Sequence, residues 1–213
     1  MPDLSQAQPV AFNCEGGLVK NRSTFMMQPG EALELENFEP DVEGGYKRIL
    51  GFAKYVTEVV PHTSSTSEPI LMVASFADKV VAARGTSIFQ ATPGGSSWTS
   101  IDSGRTSAAK YNFERFNFDG NEKLIVVDQT NAPTVFNSSF SATDVSESSV
   151  AGSKFVAAFK NHMFYAGKSS SPQEVVFSEP FDEDAFVSGQ GAGSIKVDDN
   201  ITGLKVFRDN LFI

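Results

Sequence analysis

One cysteine, one tryptophan and two histidines among 213 residues set the first limits on this chain. Cys14 has no partner within the chain, so no internal disulfide braces the fold, and it reads as a free thiol without special reactivity. His62 lies in a polar stretch and His162 at a turn between apolar runs, too little imidazole for a histidine metal site or a Ser-His-Asp relay. Long apolar runs are missing too, since none approaches the roughly 18 residues that span a bilayer. Met1-Pro-Asp-Leu-Ser lacks the basic and apolar regions of a secretion signal, so a soluble protein made in a cytoplasm is expected. Without a secretory route, Asn21-Arg-Ser, Asn137-Ser-Ser and Asn200-Ile-Thr read as polar turns although they match the glycosylation triplet. Positive charge is scarce: 17 bases face 26 acids for a net of −9, and Lys47-Arg48 is the only adjacent basic pair. A protein that grips nucleic acid through phosphates needs a basic stripe, and none is visible.

What the chain does have is a repeat. An apolar run ending in Phe, a short polar turn and a second apolar run occur four times. The copies are Ile70 to Phe76 before Val80 to Ala83, Phe116-Asn-Phe118 before Leu124 to Val127, Lys154 to Phe159 before His162 to Ala166, and Leu204 to Phe207 before Leu211 to Ile213. Taking Phe76, Phe118, Phe159 and Phe207 as equivalent anchors gives spacings of 42, 41 and 48 residues. Short strands repeating every 40 to 50 residues are the pattern of β-propeller blades. The expected fold is therefore all-β, with four-stranded blades near 69–101, 111–145 and 153–197 and the start of a fourth at 201–213. Its 19 Phe supply aromatic packing between strands. Three blades and a fraction fall short of the four or so that close a ring, so an incomplete ring is expected, as in the first part of a longer protein.

Residues 1–56 differ from the rest. The first 45 hold eight acids and two bases, a net of −6, against −3 for the remaining 168. No sustained period runs through 1–28, which reads as an extended arm. After Pro29-Gly30, Leu33 and Leu35 fit a strand while Leu35 and Phe38 fit a helical turn. Asp41-Val-Glu-Gly-Gly45 marks a turn, and Tyr46, Arg48, Leu50 and Phe52 alternate behind it as a half-buried strand. Ser, Thr and Pro dominate from Thr57 to Glu68, a loop at the boundary with the blades. Two domains are expected: 1–56, an arm and hairpin for assembly, and 57–213, the partial propeller.

Candidate chemical motifs dissolve on inspection. Gly189-Gln-Gly-Ala-Gly193 precedes the strand Ser194 to Val197, whereas a phosphate loop opens onto a helix N-terminus. Asp182-Glu-Asp184 and Asp198-Asp-Asn200 offer oxygen ligands without the Asp-x-Asp-x-Asp-Gly frame that encircles calcium. No carboxylate pair stands out for glycoside hydrolysis. No catalytic residue, metal or cofactor is assigned. Gly95-Ser-Ser-Trp98 is half of the Asp-box of sialidase-like propellers, with Pro93 where the half that carries the Asp belongs.

Gly16-Gly-Leu18, Pro29 to Leu33, Leu35, Asn37, Pro40-Asp41, Gly44-Gly-Tyr46, Arg48 and Gly51-Phe52 resemble the start of tail proteins of tailed bacteriophages, of the nozzle and packaged-DNA stabilisation type. Ser178-Glu-Pro180, Asp182, Phe186, Gly189 to Gly193, Ile201 to Leu204, Phe207-Arg-Asp209 and Leu211 look like a propeller segment of the same proteins. The resemblance covers 12–55 and 151–213 well and the middle loosely. It implies a non-enzymatic virion component, a homo-oligomeric ring around the tail axis, docked on the tail adaptor. Such a protein would help retain and release the genome, touching double-stranded DNA only in passing. The alternative is a propeller lectin that binds host glycans, with Trp98 as a sugar platform. A propeller enzyme with carboxylate chemistry is the weakest reading.

Overall fold

The computed structural model describes residues 15–42, 44–106 and 110–213. Cys14 and the first half of the expected arm, residues 1–14, therefore lie outside the described residues. The chain divides into two compact units, Met1–Ala53 and Lys54–Ile213. Among the described residues no helix is long and apolar enough to cross a membrane.

The first unit carries two small sheets. Strand β1 (Gly17–Leu18) pairs in parallel with β2 (Glu31–Ala32), and β3 (Phe38–Pro40) pairs antiparallel with β4 (Tyr46–Arg48). A 3-10 turn covers Thr24–Met26, so the stretch up to residue 28 is not wholly extended. The ambiguity around Leu33 and Leu35 resolves as a bend between strands, with no helix. The alternation after Gly45 ends early: β4 stops at Arg48, and Leu50 and Phe52 are 86 % and 98 % exposed. The expected strand runs out because its apolar side has nothing to rest on within the unit. No described residue from 15 to 53 is buried.

The second unit is built from three four-stranded antiparallel sheets of similar size. Sheet one is β5 (Ile70–Phe76), β6 (Lys79–Arg84), β7 (Ser87–Ala91) and β8 (Thr99–Asp102). Sheet two is β9 (Asn112–Phe116), β10 (Lys123–Val127), β11 (Thr134–Phe136) and β12 (Ala142–Asp144). Sheet three is β13 (Phe155–Phe159), β14 (His162–Lys168), β15 (Ser171–Phe177) and β16 (Gly193–Lys196), and β17 (Lys205–Phe207) with β18 (Asn210–Phe212) forms a hairpin. Spatial order follows chain order in each sheet, the simplest meander for strands joined by short turns.

Three apolar clusters join these elements face to face. Met72, Phe76, Val81 and Ile88 of sheet one meet Leu124, Val126 and Phe136 of sheet two. The opposite face of sheet two, with Phe116, Ile125 and Val127, meets Val156, Met163 and Tyr165 of sheet three. Phe155, Ala157 and Val175 on the far side of sheet three then meet Leu204, Val206 and Leu211 of the hairpin region. The central strands are buried on both faces, which is why β10 reads as an unbroken apolar run. Neighbouring sheets also touch through their first strands: β5 lies by β9, β9 by β13, and β13 by β17.

One expected equivalence is corrected. Phe76, Phe159 and Phe207 each close a strand opposite Lys79, His162 and Asn210, but in sheet two the residue in that register is Phe116, opposite Lys123. Phe118 lies beyond it in the loop, its ring 4.8 Å from that of Phe116. The other three hairpins turn on two residues with positive φ, Ala77-Asp78, Lys160-Asn161 and Arg208-Asp209, as the type I′ geometry of twisted hairpins requires. Sheet two uses the longer loop Asn117 to Glu122, so counting back from its second strand lands two residues late.

Candidate functional site

The second unit carries an apolar groove of about 720 Å³ on the side of sheet one that faces away from sheet two. Its floor is Ile70, Val73 and Val80, and its wall is the segment Lys54 to Val60 with Trp98. That segment is tied down by backbone bonds from Thr57 to Gly95 and from Gly94 to Tyr55, with Val56 buried beneath it. The Trp98 indole N–H donates to the Glu58 carbonyl at 3.0 Å, so its polar edge is committed within the protein.

The Ser- and Thr-rich stretch read as a loop is clasped. Glu68 accepts from the amides of Thr63 and Ser64 and from both hydroxyls, and these bonds hold its carboxyl down at about 2, against the cost of desolvation. Arg84 fans out to the carbonyls of Val60, Thr66 and Glu68. Gly85, at φ +59°, passes so close that a Cβ would overlap Thr63 Oγ1 and Glu68. This clasp fixes the groove wall.

A second feature was not singled out by sequence. Arg105 is buried between sheets one and two and donates to Asp102 (2.9 Å), Asp128 (3.2 Å), Tyr111 Oη (3.0 Å), Thr134 Oγ1 and the Ala132 carbonyl (3.3 Å). Burial opposes ionisation of Asp128, yet donors from Asn131 and Thr130, with Arg105, hold its carboxyl below the ordinary range. Burial pushes the Tyr111 hydroxyl up to about 12. Every guanidinium donor has an internal acceptor, so the cluster pins two sheets together. Its partners lie up to 29 residues away along the chain, a separation that leaves no local pattern.

The motifs weighed for chemistry are scattered. Glu183 pairs with Lys123 at 2.9 Å, Asp184 accepts from the Ser146 amide, and Asp182 accepts from the Asp184 amide. The insertion that carries them is anchored on sheet two and on Tyr165, whose hydroxyl donates to the Glu183 carbonyl. Asp198 and Asp199 sit in an exposed bend, where Asp199 accepts from the Asn200 amide. Among the described residues no group of three or more His, Cys, Asp and Glu side chains could hold a metal. His162 Nδ1 lies 2.6 Å from the Ser178 carbonyl and its ring packs edge-on against Phe177, far in the chain from exposed His62. The stretch Gly189 to Gly193 runs from a 3-10 turn, Ser188–Gln190, into β16 at Gly193, so it opens onto a strand and not onto a phosphate-binding helix.

No protein-family model matches this chain, and neither does any curated protein. The site therefore rests on geometry alone: one apolar groove at the start of the sheet series, and exposed Phe207, Phe212 and Ile213 on the hairpin at its end.

Proposed function

We propose that this chain is a structural, non-enzymatic component of a bacteriophage tail, a nozzle or stabilisation protein built on a partial β-propeller. In this reading it docks on the tail adaptor beside other copies and helps retain and release packaged DNA. The carrying observation is a series of blade-like sheets in first-strand to first-strand contact, joined to a leader whose apolar side chains are uncovered. In the leader Phe25 is 98 % exposed and Val42 97 %. Gly17, Gly30, Asn37, Gly44 and Gly45, which carry the resemblance, all hold positive φ, so their identity is tied to the leader's turns. A two-stranded sheet is marginal alone, and an uncovered apolar leader is what an assembly segment looks like before it meets its partner. Immunogold labelling of virions with antibody against residues 54–213 tests this. Label at the tail is expected, and particles that carry no label would exclude the assignment.

The glycan-binding alternative draws on Trp98 and Tyr55 at the groove. A glycan array on which binding is lost with Trp98→Ala would favour it over the tail reading.

A further inference from the structure

The segment that walls the groove is fastened to sheet one at two separate places. At its start the Gly94 amide donates to the Tyr55 carbonyl at 2.7 Å and the Thr57 amide to the Gly95 carbonyl at 3.1 Å, with Val56 buried beside them. The Trp98 indole adds its bond to Glu58. At its end the hydrogen bonds to sheet one come from the Arg84 side chain and from the Thr86 amide, which donates to Thr63 Oγ1 at 3.1 Å. Val59 lies between the two fastenings, 76 % exposed.

Arg84 can grip only where carbonyls converge. Those of Val60, Thr66 and Glu68 meet on one guanidinium because the chain doubles back, with the Glu68 amide donating to the Ser65 carbonyl at 3.1 Å. The Glu68 carboxylate holds it doubled, accepting from the Thr63 amide at 2.8 Å, the Ser64 amide at 3.0 Å and both hydroxyls. Gly85 leaves no room for a side chain at this point, so the loop sits flush on the turn between β6 and β7. Four donors fill the acceptor sites of one carboxylate, and a proton on it would turn an acceptor into a donor that faces donors. Arg84 orders the grip, but one ionisable group shapes what it grips.

We infer that residues 59–69 are a latched loop: with Glu68 ionised it closes the side of the groove, and with Glu68 neutral it lifts off Arg84 and bares the floor of Ile70, Val73 and Val80, while the Tyr55–Glu58 end stays bound as the hinge. The charged groups around the latch are Arg84 on β6, His62 within the loop, and Lys54 and Glu58 on the wall. Arg84 is committed to carbonyls, so the latch turns on hydrogen-bond roles and not on an ion pair. The donors favour the ionised carboxyl, so the loop is closed above pH 4.5 and opens as pH falls toward about 2. This device belongs to sheet one and is independent of the tail assignment, which can fail without it.

Glu68→Gln keeps the shape of the side chain and makes it neutral at every pH, so it tests the latch without acid. NMR on the 213-residue chain at pH 7 reads both ends of the segment. In this variant the Thr86 amide should lose about tenfold or more of its protection against hydrogen exchange, the scale of a lost bond to a charged group. The methyl signals of Val60, Val73 and Val80 should shift, with the Thr57 amide and the Trp98 indole N–H unchanged. Wild type should move toward the same spectrum as pH falls from about 4.5 toward 2. If Glu68→Gln unfolds, Arg84→Lys takes its place with the same expected readouts, because one ammonium cannot span three carbonyls. A variant that keeps the wild-type Thr86 protection and floor signals overturns the inference. So does one in which Thr57 and the Trp98 indole move with the loop, since the segment would then leave in one piece without a hinge.

Discussion

Arg105 directs its donors into a space where Asp128 has no solvent contact, and removing one member of such a pair leaves the other charge stranded. Arg105→Ala should cost about 3–5 kcal/mol of unfolding free energy by urea denaturation. Arg105→Lys should recover little of it, because one ammonium cannot replace a planar fork that reaches five acceptors. A lysine variant of wild-type stability would show that charge alone matters there. The clasp around Glu68 gives a pH dependence of definite sign. Its carboxyl falls from an ordinary 4.5 to about 2, so the unfolded chain binds that proton more readily. Its stabilisation is complete above pH 4.5 and is lost as pH falls from about 4.5 toward 2. The amide signals of Thr63 and Ser64 should shift together across that window in NMR titration. The shift should vanish in Glu68→Gln, and its persistence in that variant would assign the event to another group.

At the scale of elements, the closing phenylalanines stand in one register but differ in burial. Phe76 is 1 % exposed and Phe116 6 %, whereas Phe207 is 57 % exposed. Truncating Phe76 or Phe116 to Ala should cost about 3–5 kcal/mol each. Phe207→Ala should change the stability of the monomer little, since its ring packs on no further sheet. Comparable losses at all three would mean that the last hairpin is as enclosed as the first sheet. Most strand positions were legible because alternation and short polar turns bracket them, and the apolar run Ile70 to Phe76 coincides with β5. Phe118 was mistaken for Phe116 because residues two apart on a strand point the same way, so parity cannot choose between them. Leu50 and Phe52 alternate like a strand yet form none, since a pattern records which side is apolar and not whether a neighbour is there to cover it. The groove was invisible for a related reason: its wall, Lys54 to Val60, packs on a sheet that begins ten residues after its end.

For the whole molecule the net charge of −9 sets the relation to nucleic acid, and the structure sharpens it through where the bases go. Lys123 is held between Glu183 and Asp119, Lys47 lies near Glu39 and Asp41, Arg22 bonds Glu31, and Arg105 is enclosed. Lys110, Arg115 and Lys123 would be the bases to gather if the fold made a phosphate track, but Lys123 is already neutralised by its own carboxylates. Along the line of first strands, burial raises the Glu114 carboxyl while Lys205 and Arg115 oppose it. That line therefore carries both signs. Affinity for duplex DNA grows with each phosphate neutralised and falls with salt in proportion to that number, so dispersed and paired bases give both a weak constant and a shallow slope. The purified chain should bind double-stranded DNA no more tightly than about 10⁻⁵ M at physiological salt, within the range of non-specific contact. Fluorescence anisotropy of a labelled duplex across a salt series reads both quantities. Submicromolar binding with a steep salt dependence would mean that the chain brings together bases that lie far apart in sequence, and would count against the proposal that DNA is touched only in passing.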